Sequence, residues 1–177
     1  LNSTALTSIP KETLVFGAGC FWGAQELIRQ VGGVLETEVG FSGGTLKDPT
    51  YKEVCGGDTG HAEAVRVVFD PSKVSLAHLL DLFFDLHDPT TLNQQGGDRG
   101  TQYRSVIFYS SESQRAEAEQ AIARAFEKWG KPITTQLQAF EIFYSASEEH
   151  QDYLQKHPEG YTCHYWRNQT PNTQPHQ

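Results

Sequence analysis

Near the start of the chain, Gly17-Ala18-Gly19-Cys20-Phe21-Trp22-Gly23 sets a thiol where a short apolar run gives way to a helical pattern. Glycines permit the tight turn that such a junction needs. The first turn of a helix leaves backbone N–H groups unpaired and carries about half a positive charge, which predicts a Cys20 pKa below the usual value of about 8.5. Cys20 is therefore a candidate nucleophile. The plain alternative is a cysteine packed beside Phe21 and Trp22 as a small hydrophobe. A dinucleotide fingerprint is excluded, because the third small residue of Gly-x-Gly-x-x-Gly would fall at Trp22.

Gly60-His61-Ala62-Glu63 sets a carboxyl at the head of an apolar run that includes Val65, Val67 and Val68. His-x-Glu also opens the zinc deaminase signature, but the downstream Pro-Cys-x-x-Cys is missing, so no metal site is expected. Cys55 and Cys163 lie far from Cys20 and from each other in sequence. Three cysteines without a Cys-x-x-Cys pair fit neither a disulfide-dense scaffold nor a four-ligand zinc site. Reactive thiols become the leading question.

The elements that must position these groups follow from periodicity. Leu14 to Phe16 reads as a short buried strand, and Ala24, Leu27, Ile28 and Val31 as one face of a helix stopped by Gly32-Gly33. Leu35, Thr37, Val39 and Phe41 alternate with Glu36, Glu38 and Gly40, the period of a strand with one wet face. A strand over about Ala62 to Phe69 precedes a helix capped by Ser75, with Leu76, Leu79, Leu80 and Phe83 on its buried face. Arg104 to Tyr109 is a further strand. Ser111 and Gln114 have capping-box spacing before a long helix with an Ile122, Phe126 and Trp129 stripe, closed by Gly130 and Pro132. Glu141 to Tyr144 makes the last strand and Ser147 to about Lys156 the last helix. This order predicts an α+β fold, a ferredoxin-like split βαβ two-layer sandwich with long loops and a C-terminal coil. Ser42 to Gly60 and His87 to Gly100 are the long loops expected to carry function.

The 177 residues fit a single domain over 1–177, with a flexible arm over about 1–11 and a flexible tail over about 168–177. A net charge of −8, from 14 basic and 22 acidic side chains, argues against nucleic acid or an anionic membrane as partner. No apolar run reaches the roughly 18 residues of a membrane span. The chain holds no methionine, so an initiator is expected to precede Leu1, and any leader would lie outside this numbering. Methionine is easily oxidised, and its absence suits a protein that meets oxidants, although chance explains it as well.

Gly19-Cys20-Phe21-Trp22-Gly23, Gly40-Phe41-Ser42-Gly43-Gly44, the stretch from Thr50 to Val67 (TYKEVCGGDTGHAEAVRV) and Gly97 to Ser105 (GDRGTQYRS) together resemble the peptide methionine sulfoxide reductase A family, over roughly Leu14 to Arg167. The resemblance implies that Cys20 attacks the sulfur of methionine-S-sulfoxide, protein-bound or free. It implies that Glu63 is the acid donating to the sulfoxide oxygen, and that Tyr51 and Tyr103 hydrogen-bond that oxygen. Asp98 would orient the substrate main chain, while Phe21 and Trp22 suit an apolar pocket for the S-methyl group.

Charge builds on a poor leaving oxygen during thiolate attack, so the oxygen needs a hydrogen bond or a proton. A carboxyl donates near neutral pH only if burial raises its pKa. Cys20 and Glu63 would then share one proton, as thiolate with neutral acid or thiol with carboxylate. The Cys20 sulfenic acid left behind needs a second thiol. By resemblance Cys163 is the resolving cysteine, on a coil able to move, and Cys55 is structural. No cysteine follows Cys163, which implies a two-cysteine cycle with thioredoxin as reductant and no cofactor. His164 beside Cys163 is more simply incidental than an aid to exchange. A cytoplasmic monomer is the default expectation. Two rivals stand against this reading: a thiol acyltransferase or hydrolase with a His base beside Cys20, and a redox-sensing domain in which Cys20 and Cys163 only form a disulfide.

Overall fold

The computed structural model describes residues 10–168, so nearly all of the expected arm and tail lie outside the described residues. In chain order these form β1 (Glu12–Ala18), α1 (Phe21–Ile28), β2 (Val34–Ser42), α2 (Tyr51–Cys55), β3 (Ala62–Phe69), α3 (Leu76–Leu86) and a short hairpin of β4 (Gln94–Gln95) and β5 (Asp98–Arg99). Then come β6 (Ser105–Tyr109), α4 (Glu112–Trp129), β7 (Gln136–Ala139), β8 (Phe143–Ser145) and α5 (Tyr153–Lys156). The main sheet runs β7-β6-β1-β3-β2-β8. From β6 through β1, β3 and β2 to β8 each adjacent pair is antiparallel, and β7 joins the outer edge of β6 in parallel.

Strand alternation divides the apolar residues between two faces. Leu14, Phe16, Ala18, Val65, Val67 and Ile107 join the core beneath α1, α3 and α4, where Phe16 meets Phe83 edge-on with ring centroids 5.0 Å apart. Val15, Ala62, Ala64, Val106 and Phe108 face the other way and are covered by Phe140 and Phe143. A buried phenylalanine contributes roughly 1.5–3 kcal/mol through burial. Six phenylalanines lie below 2% exposure, four of them on β1, β2, β3 and β6. Among the described residues no helix is long and apolar enough to cross a membrane.

Five expectations change in detail. The alternation over Leu35 to Phe41 breaks at an irregularity between Val34 and Glu36, which buries Val34 and turns Leu35 outward. On α4 the buried stripe is Ala118, Ala121 and Ala125, with Phe126 at 52% exposure, because α3 lies close enough to select small side chains. Only half of the expected capping box forms: Ser111 Oγ accepts from the Gln114 N–H at 3.1 Å, while the Gln114 amide donates to the Thr13 carbonyl at 2.7 Å. The last strand is shifted to Phe143–Ser145. The last helix splits at Asp152, whose φ of 53° interrupts it between a one-turn segment at Glu148–His150 and α5.

Candidate active site

Cys20 stands at the junction its sequence predicts, as the N-cap residue of α1 at the end of β1. Gly19 before it adopts φ 89°, and a Cβ there would lie 2.6 Å from the Gln95 side chain, so the turn requires glycine. The thiol is 5% exposed. Its pKa is pushed up, first by burial and then by the neighbouring Glu63, against a weaker opposing pull from the Trp22 N–H. The predicted depression is thus reversed. Desolvation of a buried sulfur beside an acidic neighbour outweighs the partial charge of a two-turn helix.

Glu63, on β3 opposite Phe41, is 1% exposed. Its Oε1 accepts a 3.0 Å hydrogen bond from the Phe21 N–H, so the acid is tied to the first turn of the nucleophile's helix. Oε2 is buried and has no hydrogen-bond partner among the described residues. Burial pushes the carboxyl up to about 8, with the Phe21 N–H opposing and Asp98 adding. Both shifts favour the protonated forms, the neutral acid together with the thiol.

Tyr51 and Tyr103 reach this pair from two different loops. Tyr51 opens α2, which a reciprocal box fixes: Thr50 Oγ1 accepts from the Glu53 N–H at 3.2 Å and Glu53 Oε1 accepts from the Thr50 N–H at 2.9 Å. Tyr103 closes a single turn that follows Gly100. Burial and then Glu63 keep both phenols un-ionised well beyond the usual range, so each retains a proton to donate. The Cys55 sulfur borders both hydroxyls, and its thiol is pushed up by burial.

The aromatic wall is more extensive than the sequence reading. Phe21 is fully buried and lies 6.0 Å from the Tyr51 ring, while Trp22 is half-buried and stacks on Tyr153 at 3.9 Å. The Trp22 indole N–H donates to His150 Nδ1 at 3.2 Å, and the His150 ring stacks on Tyr51 at 4.1 Å. His150 and Tyr153 thus fix the orientation of two site rings from a segment expected only as a terminal helix. Asp98 accepts a 3.0 Å hydrogen bond from the Tyr161 hydroxyl. His150, Tyr153 and Tyr161 are missed by sequence reasoning because their partners lie 63 to 131 positions away. The Thr50/Glu53 spacing, by contrast, is a readable signal for the turn that carries Tyr51.

Cys163 is half-buried on the C-terminal coil, its sulfur 3.9 Å from the Gln95 carbonyl and 3.8 Å from His164 Nδ1. His164 is not incidental to the fold. Its Nε2 donates to the Ala18 carbonyl at 2.6 Å, and burial pushes the ring down to about 4, so it is neutral with a bare Nδ1. The groups that shift the Cys20 thiol are Glu63, Asp98, Cys163 and the Trp22 N–H. His61 serves the loop, with Nδ1 accepting from the Gly44 N–H at 3.0 Å and Nε2 donating to the Leu46 carbonyl at 2.7 Å.

A thiol next to a protonated acid, two phenols and an aromatic wall suits attack on a polarised S=O group. Known proteins agree. The chain is 52% identical over 149 residues to the peptide methionine sulfoxide reductase MsrA of Methanothermobacter thermautotrophicus, covering 83% of this chain and 88% of that one. The reduced form of Mxr1 from Saccharomyces cerevisiae superposes with a TM-score of 0.84 at 38% identity, covering 89% of this chain and 93% of Mxr1. Mxr1 in complex with Trx2 gives 0.61 at 25% identity, covering 89% and 91%. Residues 12–176 match the family model described as peptide methionine sulfoxide reductase, and the chain belongs to that family.

Proposed function

We propose how this chain, a thiol-dependent peptide-methionine (S)-S-oxide reductase, completes its cycle on protein-bound and free methionine-S-sulfoxide. The S-methyl group rests against Trp22, with Phe21 as the floor, and Asp98 orients the substrate main chain. Tyr51, Tyr103 and neutral Glu63 donate to the sulfoxide oxygen. As the Cys20 sulfur bonds to the substrate sulfur, Glu63 protonates the oxygen and then takes up the proton that the thiol gives up. The oxygen passes to Cys20 as sulfenic acid, methionine leaves with the electron pair, and Glu63 ends the step as it began. Cys163 then attacks the sulfenic acid, a disulfide forms, water leaves, and thioredoxin reduces the disulfide. The Mxr1 complex with Trx2 supports that choice of reductant.

The observation that carries this reading is the buried Glu63 carboxyl, with one oxygen on the Phe21 N–H, the other unpartnered among the described residues, and a pKa of about 8. A carboxyl kept neutral at pH 7 is a donor, and a donor is what the leaving oxygen needs. The strand order β6-β1-β3-β2, all antiparallel, supports reading the four central strands as a ferredoxin-like split βαβ core within one domain. Free cysteines support a thiol-reducing compartment, the cytoplasm, and we take the enzyme to act as a monomer. Incubation with both methionine sulfoxide diastereomers and dithiothreitol tests the activity: the S form is consumed and the R form remains. Consumption of R alone, or of neither, rejects it.

A further inference from the structure

Asp85 is a buried carboxylate that the cycle above does not use. It is 3% exposed and lies in the last turn of α3. A negative charge is disfavoured there, because the C-terminal end of a helix already carries about half a negative charge. What offsets this is a set of backbone donors from the C-terminal coil. Asp85 Oδ2 accepts from the Arg167 N–H at 2.9 Å, and Oδ1 accepts from the Asn168 N–H at 3.0 Å. The Arg167 guanidinium also donates to the Asp85 carbonyl at 3.3 Å.

Those donors lie four and five residues beyond Cys163. One residue beyond it, His164 is latched to Ala18, two residues before Cys20. The coil crosses the first turn of α1 only because position 23 is glycine: a Cβ there would lie 2.2 Å from Thr162 Oγ1 and 2.5 Å from His164 Nδ1. Cys163 is therefore held on a segment fastened downstream at two points, one at the end of β1 and one in the last turn of α3.

We propose that Asp85 is a positioning residue for the resolving step, clamping the coil so that Cys163 stays within reach of the Cys20 sulfenic acid. This rests on the reading of Cys163 as the resolving thiol. In that step the Cys163 sulfur bonds to the Cys20 sulfur, the Cys20 S–O bond breaks, and the thiol proton leaves with the hydroxyl as water. The clamp takes no part in the bond changes. It raises the local concentration of one thiol at the other by restricting the coil.

The experiment is a single turnover with one equivalent of methionine-S-sulfoxide, quenched with an alkylating agent at intervals, with methionine release and Cys20–Cys163 disulfide followed separately. In Asp85→Ala, methionine release keeps its rate while disulfide formation slows on the order of tenfold, the scale set by losing charge-assisted hydrogen bonds. Asn168→Pro removes one donor from the exposed side and slows the same step by less, without altering α3. Asp85→Asn, which still accepts, falls between Asp85→Ala and the parent. A disulfide rate unchanged or raised in Asp85→Ala and Asn168→Pro overturns the clamp. A first-turnover disulfide in the parent that maps to Cys55 overturns the resolving assignment as well, so the two failures are distinguishable.

Discussion

Cys20 and Cys163 are both thiols kept protonated by burial, yet they stand on opposite kinds of backbone. Cys20 ends a central strand whose neighbours pair with it on both sides, and it starts a helix packed into the core. Cys163 lies in irregular coil and is held by side chains. The contrast separates two demands. Attack on a sulfoxide needs donors fixed to within fractions of an ångström in a dry site, which a strand and helix junction supplies. Disulfide exchange needs a sulfur that moves and then meets another protein, which regular structure would obstruct. Asp98 raises the pKa of both thiols and is the charge that the two regions share.

The sharpest way to break the comparison is to remove each sulfur. Cys20→Ser abolishes methionine formation, by a factor of about 10⁴ or more, since a serine hydroxyl is a far weaker nucleophile. Cys163→Ser keeps one stoichiometric burst of methionine but loses thioredoxin-driven turnover. Product counted in a single turnover and at steady state checks both. If Cys55→Ser alone stops the turnover, the resolving role moves to Cys55.

Glu63→Gln comes next. It slows the burst by roughly 10²- to 10⁴-fold, because the amide hydrogen-bonds the oxygen but cannot protonate it. In the parent enzyme the burst rate falls as pH rises through about 8, where Glu63 loses its proton. Stability follows the same group. Folded Glu63 keeps its proton up to about 8, while the unfolded carboxyl loses it near 4.5, so the folded state binds more protons across that window. The parent therefore loses stability as pH rises from about 4.5 to 8. Glu63→Gln escapes that loss and is more stable than the parent at pH 8, by on the order of 4 kcal/mol, with the gap closing toward pH 4.5. Urea melts at the two pH values measure it, and an equal gap at both contradicts the assignment.

The same contrast explains what could be read in advance. The strands and helices around Cys20 announce themselves through local period, and the fold brings Cys20, Glu63, Tyr51 and Tyr103 near one another. The protonation state was not legible, because the Cys20 pKa depends on burial depth and on a carboxyl 43 positions away. Nor were His150, Tyr153 and Asp85, whose partners come from segments distant in sequence. β7 was missed because the polar/apolar alternation of Gln136–Ala139 runs for only four residues with Leu137 as its single large apolar side chain, and pairing with β6 defines it.

Gly23→Ala tests the seam between the two regions. The added Cβ meets Thr162 and His164 side chains at 2.2–2.5 Å, so the coil must shift or its latch to Ala18 must lengthen. The helix itself gains up to about 1 kcal/mol from the loss of glycine, while overpacking costs about 1–3 kcal/mol. The expected result is a net loss of stability of about 1 kcal/mol, with thioredoxin-driven turnover falling more than the burst. Equal losses in both would mean that Cys20 has moved with the coil.

The smallest effect belongs to Tyr161→Phe, which removes the 3.0 Å hydrogen bond to Asp98 without changing ring size. Tyr161 is 46% exposed, so water replaces the lost donor and stability hardly changes. Asp98 loses one of the contacts that aim it. Because Asp98 is assigned to the substrate main chain, KM for a peptide carrying methionine sulfoxide rises roughly threefold to tenfold, as loss of one hydrogen bond of about 0.5–1.5 kcal/mol requires. The change in kcat is under twofold, since the bond exists before and during the chemical step alike. The burst amplitude is untouched. A fall in kcat at unchanged KM would instead put Tyr161 in the chemistry, and the coil could then no longer be treated as separate from the site that Cys20 occupies.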